Sequence, residues 1–287
     1  MSDLPSTSRL PDPTSFSVQA GDVTLRGERS GAGAPIVLLH GLTATRRYVV
    51  MGSRLLERRG YELISYDARA HGESSSPRDF AAFDYADLLS DLEAVLDALE
   101  LDRVVLAGSS MGAATAIAFA LARPERVAAL VQATPAYTGS AYTDPEGLAG
   151  WDRLADGLAR DGIEGFMDAY AVHLRGRFTE SIERFTRRRL SLHDDVRALA
   201  PALRVVPRSA AFDGIQRLSE LAAPTLVVAS RDEGDPTHPL AVAEDYARRI
   251  PVAELVVEEP GKPPLAWRGA HVSRAIAAFL ADHDVHS

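Results

Sequence analysis

The sequence lacks cysteine, and this absence excludes several kinds of chemistry. With no cysteine among 287 residues, the chain can form no disulfide, thiolate nucleophile or cysteine-ligated metal site. No apolar run approaches the length of a membrane span. Residues 1–17 are polar and contain three prolines, so we expect no signal peptide, no membrane contact and a cytoplasmic location.

Positive charge is also scarce. The chain has 31 lysine and arginine residues against 40 aspartate and glutamate residues, which gives a formal net charge of −9. This balance argues against nucleic acid as a partner. The hydrophobic fraction of 46% and the charged fraction of 25% are typical of a soluble globular protein. The length allows one α/β domain with an insertion.

Apolar runs of strand length alternate with helix-like stretches along most of the chain. Ile36–Leu39 is apolar without alternation, which is typical of a strand buried on both faces. Leucines recur at helical spacing over 84–100. The alternation stops near Tyr137 and resumes with a strand over 225–228. The pattern therefore predicts an α/β fold, with a mostly parallel twisted sheet and helices on both faces.

The break in the alternation predicts the domain organisation. Residues 138–222 contain helical patterns and no convincing strand, so we expect a helical lid there. The predicted segments are a flexible N-terminus over 1–15, a core over 16–137 and 223–287, and the lid over 138–222. An arginine cluster within the lid is typical of a solvated helix face, with attraction of an anionic substrate as the alternative. Its members are Arg184, Arg187, Arg188 and Arg189.

A G-x-S-x-G pentapeptide over 108–112 carries the strongest signal of chemistry. An apolar strand over 104–107 precedes it, and an alanine-rich helix runs from it to residue 120. This order predicts a nucleophile elbow, a tight turn that presents the hydroxyl of Ser110. The helix that follows directs backbone N–H groups and its positive dipole end towards an oxyanion beside Ser110. Ser110 is therefore the candidate nucleophile.

Together with this pentapeptide, three further motifs resemble the α/β-hydrolase superfamily over residues 16–283. They are Leu-Leu-His40-Gly41, Tyr66-Asp67-x-Arg69-x-His71-Gly72-x-Ser74, and Pro224-Thr-Leu-Val-Val followed by an aspartate loop. The resemblance implies a chain order Ser…Asp…His, an acylated serine, a helical cap, and no metal or organic cofactor. By position it assigns the oxyanion to the backbone N–H groups of Leu42 and Met111. His40 and Gly41 belong to the same loop, where His40 is expected to organise hydrogen bonds rather than to carry protons.

The resemblance also selects the acid. Family members place the aspartate four residues before a proline that starts the next helix, and this spacing favours Asp235 before Pro239. Asp232 remains an alternative, because Asp235 lies one residue further than usual from the strand.

The histidine of the triad has no clear counterpart. Family members carry Gly-His directly after the last strand, whereas this chain has Gly261-Lys262 at the matching distance before Phe279. A lysine is almost entirely protonated at neutral pH, and a neighbouring carboxylate favours the charged form further. Lys262 is therefore a candidate either for the base or for a fixed cation that binds a substrate carboxylate or an enolate.

Other histidines are candidates for the base. His271 lies near the start of the last helix and would need the 259–270 loop to fold back towards Ser110. His238 lies three residues after Asp235 and is expected to point at the helix start. The remaining alternatives are His173 and His193 in the lid, or no proton carrier at all.

These observations predict a serine hydrolase for a small, partly hydrophobic ester, lactone or related carbonyl compound. One alternative is a non-hydrolytic enzyme of the same fold, a lyase, cyclase or isomerase with Lys262 as a cation. A second is a catalytically silent protein that binds a ligand. The missing Gly-His separates these three hypotheses.

Overall fold

An eight-stranded sheet forms the centre of the protein, in a computed structural model that describes residues 10–233, 235 and 237–285. The strands are β1 (Thr14–Ala20), β2 (Val23–Gly31), β3 (Ala34–Leu39), β4 (Tyr61–Tyr66), β5 (Val104–Ser109), β6 (Val127–Ala133), β7 (Thr225–Ala229) and β8 (Ala253–Val257). Their spatial order is β1-β2-β4-β3-β5-β6-β7-β8. The pairs β1–β2 and β2–β4 are antiparallel and the remaining pairs are parallel, so the predicted mostly parallel sheet is confirmed.

The described residues contain seven α-helices. They are α1 (Tyr85–Ala98), α2 (Met111–Ala122), α3 (Pro145–Tyr170), α4 (Thr179–Leu190), α5 (Ala200–Val205), α6 (Leu240–Arg249) and α7 (Gly269–Asp282). No helix in this part of the chain is long and apolar enough to cross a membrane.

Both faces of the sheet are covered by helices. Leu92 of α1, Ile117 of α2 and Tyr246 of α6 are buried in one apolar cluster on one face. Ile276 and Phe279 of α7 are buried in a second cluster on the other face. Strands buried on both sides read as continuous apolar runs, which explains the pattern of the sequence. The carboxyl ends of the parallel strands meet at one edge of this sheet, where loops can carry chemistry.

The N-terminal boundary differs from the sequence-based expectation. Strand β1 begins at Thr14, which pairs with Arg29 of β2. The sheet therefore extends into residues 14 and 15, which belong to the segment 1–15 that the sequence predicts to be flexible. An edge strand gains backbone hydrogen bonds from its neighbour, and this gain does not require an apolar residue at every position. The rest of that predicted segment, residues 1–9, lies outside the described residues.

A helical insertion, comprising α3, α4, α5 and short 3₁₀ turns, separates β6 from β7 among the described residues. It has its own apolar cluster, which includes Leu158, Phe166 and Leu190. Helix α3 is interrupted at Gly162, which has a φ of 64°, a positive value that glycine adopts with little strain.

The insertion packs over the loops that follow β3 and β4. Leu42, in the loop after β3, packs against the apolar cluster of the insertion. The Asp194 N–H donates a hydrogen bond of 3.0 Å to the Gly72 carbonyl, in the loop after β4. The ring of Tyr48 meets the ring of Phe185 edge to face, with centroids 5.3 Å apart. The helical insertion therefore adjoins the strand ends.

Candidate active site

Ser110 occupies a tight turn between β5 and α2. Its φ of 52° and ψ of −111° lie in a region that is strained for a residue with a Cβ. A Cβ at Gly108 would lie 2.2 Å from the Gly112 carbonyl oxygen, and one at Gly112 would lie 2.1 Å from the Leu39 oxygen. Because both contacts are with backbone, only glycine fits at either position. The turn thus has the strand–turn–helix geometry that the pentapeptide predicts.

The backbone of Ser110 is anchored on both sides of the turn. Its N–H donates a hydrogen bond of 3.1 Å to the Ala133 carbonyl on β6, and its carbonyl accepts one of 3.0 Å from Ala114 in α2. The side chain is thereby held in a partly exposed position at the end of the strand.

His238 contacts the Ser110 hydroxyl. Its Nε2 lies 2.9 Å from Ser110 Oγ, and its Nδ1 lies 2.9 Å from both carboxylate oxygens of Asp235. A carboxylate only accepts, so these contacts assign the ring proton to Nδ1 and leave Nε2 as the acceptor for the serine hydroxyl. The His238 side chain is 22% exposed and that of Asp235 is 15% exposed, so the group is open to a small substrate.

The environment of Asp235 favours its charged form. Burial opposes ionisation of this carboxyl, but the neighbouring His238 outweighs it, helped by the hydroxyl of Thr237, which donates a hydrogen bond of 2.9 Å, and by the charge of Arg189. The pKa of Asp235 is consequently lowered from its ordinary value. A carboxylate that stays charged can hold an imidazole in one tautomer and stabilise its protonated form.

Asp232 has a different role in the same loop. Its Oδ1 accepts a hydrogen bond of 2.7 Å from the N–H of Leu240, the first residue of α6. It thus satisfies an unpaired donor at the helix start. Of the two candidate acids, Asp235 is the one that contacts the histidine.

The structure does not bring His271 or Lys262 to Ser110. His271, in the first turn of α7, hydrogen-bonds to the guanidinium of Arg268. Lys262 is exposed, and its backbone N–H donates to the Glu259 carbonyl at 3.1 Å. The expectation that one of these two residues lies beside the nucleophile is therefore corrected, because His238 occupies that position.

The buried side chain of Glu258 anchors the segment after β8. Its two carboxylate oxygens accept hydrogen bonds from the backbone N–H groups of Arg231, at 2.6 Å, and Leu265, at 3.0 Å. The Arg231 guanidinium donates in return to the Glu258 carbonyl at 3.0 Å. These bonds fix both ends of the 259–264 stretch, whose residues 259–263 are exposed.

The candidate oxyanion donors adjoin Ser110. Met111 is the first residue of α2, and neither its N–H nor that of Leu42 has an acceptor among the described residues. A Cβ at Gly41 would lie 3.3 Å from the Ser110 Cβ, so the loop backbone packs against the nucleophile. Two free N–H groups beside a serine can bind a negative oxygen.

His40 organises this loop. Its Nε2 accepts a hydrogen bond of 2.9 Å from the Ala68 N–H, so its Nδ1 carries the proton and donates to the Gly41 carbonyl at 2.9 Å. Burial lowers the pKa of His40, which keeps the ring neutral. Both ring nitrogens are occupied by backbone, which suits a structural role.

The sequence predicts that His238 points at the helix start, whereas in the structure its ring lies between Ser110 and Asp235. The family's Gly-His spacing favours residues after the last strand, where this chain has Lys262 and His271, whereas His238 lies in the loop that also carries Asp235. The available signal was the spacing Asp-x-x-His, because three residues within a turn can bring a carboxylate and an imidazole into contact.

An open cavity of about 480 Å³ borders the acid loop. It lies between the insertion and that loop, and its lining includes Val172, Arg175, Arg177, Glu233 and Thr237. Within the described part of the chain, no group of three or more histidine, aspartate or glutamate residues is arranged to hold a metal ion.

Comparison with known proteins identifies the family. A family model described as alpha/beta hydrolase fold matches residues 34–269. The chain therefore belongs to the α/β-hydrolase fold family. A thermophilic esterase from Thermogutta terrifontis superposes with a TM-score of 0.77 at 23% identity, covering 95% of this chain and 99% of that one. At this identity the likeness shows the fold alone.

Curated relatives agree with this assignment. A 2-hydroxy-6-oxononadienedioate/2-hydroxy-6-oxononatrienedioate hydrolase of Pseudomonas putida is 32% identical over 221 residues, which are 74% of this chain and 76% of that protein. An AB hydrolase superfamily protein of Bacillus subtilis (strain 168) is 36% identical over 121 residues. These residues are 40% of this chain and 44% of that relative, so the match spans less than half of its length. The family and the names of its members support a hydrolase at a coarse level.

Proposed function

We propose that the chain is a serine hydrolase that acts on a small ester, lactone or related carbonyl compound. The observation that carries this proposal is the 2.9 Å contact between His238 Nε2 and Ser110 Oγ, with Asp235 bound to the other ring nitrogen. This arrangement is the geometry that converts a weakly nucleophilic hydroxyl into an attacking group.

The reaction follows from the positions of the hydrogen bonds. Ser110 Oγ attacks the carbonyl carbon while His238 Nε2 takes the hydroxyl proton, and Asp235 stabilises the imidazolium that forms. The N–H groups of Leu42 and Met111 hold the oxyanion. His238 then donates the proton to the leaving oxygen, and a water molecule, activated by the same histidine, releases the acid from the acyl-serine.

The helical insertion is proposed to act as a lid. It packs on Leu42 through its apolar cluster and on Tyr48 through Phe185, so it lies beside the proposed oxyanion hole. Phe185 also stacks on Trp267, with ring centroids 5.7 Å apart. An aromatic wall of this kind suits a substrate with an apolar portion.

Labelling with a fluorophosphonate tests the proposal, because an activated serine oxygen attacks the phosphorus of this reagent and displaces fluoride, which leaves a phosphonylated serine. Wild-type protein is expected to label strongly, and Ser110→Ala to lose the label. Ser109→Ala is the matched control, since its hydroxyl lies 3.4 Å from the Thr134 hydroxyl and takes no part in the proposed reaction. Absence of labelling in the wild type would contradict the proposal and favour the non-hydrolytic or ligand-binding alternatives.

A further inference from the structure

Arg189 differs from the other arginines of α4 in the direction it faces. It lies one turn after Phe185, and residues four apart share one face of a helix. Phe185 contacts Tyr48, in the loop after β3, and Trp267, just before α7, so this face is directed towards these two loops. Arg184 and Arg188, by contrast, are exposed.

The guanidinium of Arg189 has no ionic partner among the described residues. Its Nε is buried without a hydrogen-bond acceptor, and the structure assigns no acceptor to its other nitrogens. Its neighbour Arg187 binds Glu164 and Glu183, and the buried Arg69 binds both oxygens of Asp91. Arg189 is half-buried and its Nε is removed from water without an acceptor, so this position is suited to an anion that the protein does not itself supply.

The charge of Arg189 acts on the proposed catalytic group. It contributes to the lowered pKa of Asp235, and it also interacts with the phenol groups of Tyr48 and Tyr170. The carboxylate of Asp235 is already bound by His238 and Thr237. Arg189 therefore acts electrostatically on the proposed active site while its own donors bind no acceptor among the described residues, and burial lowers its pKa.

We propose that Arg189 binds a carboxylate group of the substrate, which makes the preferred substrate a monoanionic ester or acyl compound. The inference rests on the proposed hydrolysis by Ser110. A planar guanidinium binds a carboxylate through two parallel hydrogen bonds. The aromatic wall of Tyr48, Phe185 and Trp267 would contact the apolar carbon chain that joins this carboxylate to the reacting carbonyl.

A matched pair of esters tests the substrate class. The para-nitrophenyl esters of pentanoic acid and of glutaric acid have the same number of acyl carbons, and only the second ends in a carboxylate. Wild-type protein is expected to have the higher kcat/KM on the glutarate ester. In Arg189→Gln, the ratio of kcat/KM for glutarate to that for pentanoate is expected to fall about 30-fold, through the loss of a charge-assisted hydrogen-bond pair.

Arg188→Gln is the matched control, because it removes one positive charge from the exposed face of the same helix. It is expected to leave the ratio within about twofold of the wild type, since exposed charges are screened by salt. An equal loss on both esters in Arg189→Gln would overturn the proposal and make Arg189 a residue that positions Asp235. A wild type that does not favour the glutarate ester would also overturn it.

A binding measurement separates this inference from the proposed hydrolysis. In Ser110→Ala, calorimetry is expected to detect binding of the mono-methyl ester of glutarate and much weaker binding of methyl pentanoate. The added change Arg189→Gln is expected to remove this difference. Anion binding without any turnover in the wild type would retain the carboxylate site and reject the hydrolase, whereas turnover without selective anion binding would do the reverse.

Discussion

Two aspartates three residues apart in one loop have separate roles. Asp235 binds both His238 and Thr237, whereas Asp232 binds the backbone of Leu240. The sequence made Asp235 the preferred acid by its spacing to Pro239, and it is the aspartate that contacts a histidine. The identity of that histidine did not follow, because the family's Gly-His spacing favours residues after β8, where this chain has Lys262 and His271.

The two aspartates provide a matched test at the residue scale. Asp235→Asn is expected to lower kcat by about 10⁴, because an amide can donate to Nδ1 and favour the wrong imidazole tautomer. Asp232→Asn is expected to retain activity within about threefold, since asparagine still caps a helix start. Steady-state kinetics on an activated ester measure both effects. A comparable loss in Asp232→Asn would contradict the assignment of the acid.

Three histidines connect the loops of the core to the insertion. The rings of His40 and His71 are 4.9 Å apart, and those of His71 and His193 are 5.8 Å apart. Burial lowers the pKa of His71 well below its usual value and that of His193 to about 4, with the neighbouring histidines contributing in both. All three histidines favour the neutral form, so the contact that they form between the loops and the insertion is most stable when they are uncharged.

The lowered pKa of His193 makes the free energy of unfolding depend on pH. Below the ordinary histidine pKa of about 6.5, the unfolded chain binds protons that folded His193 excludes, so unfolding becomes easier as the pH falls. For His193 alone, this amounts to about 2 kcal/mol between roughly pH 7.5 and pH 5. Urea unfolding should show that His193→Gln loses less stability over this range than the wild type, by about that amount. Equal losses would mean that His193 titrates normally in the folded state.

The elements themselves could be predicted in large part from the sequence. The unalternated apolar run of β3 reflects a strand that is buried on both faces, and the leucine spacing of α1 reflects a helix that is buried on one face. Burial of this kind determines the order of apolar and polar residues, so it can be read from the sequence. The start of β1 at Thr14 was missed, since an edge strand is held by backbone pairing that leaves little trace in side-chain pattern.

At the level of the whole molecule, the fold follows from local sequence patterns, whereas the site depends on contacts between distant parts of the chain. Strand order and the nucleophile turn follow from local patterns, such as glycines at 108 and 112 that admit no Cβ. The contact between Ser110 and His238 joins residues 128 positions apart, and it depends on how two loops meet at the sheet edge. Arg189 likewise belongs to a cluster whose pattern is typical of a solvated helix face, and only the packing of Phe185 on Tyr48 and Trp267 shows which side of α4 meets the loops.

In the proposed mechanism, His238, rather than a residue after β8, takes the proton from Ser110. The most direct test compares kcat/KM of His238→Ala and His271→Ala on one activated ester. We expect a loss of about 10³-fold or more for His238→Ala and a change within about threefold for His271→Ala. Full activity in His238→Ala together with a large loss in His271→Ala would contradict this mechanism.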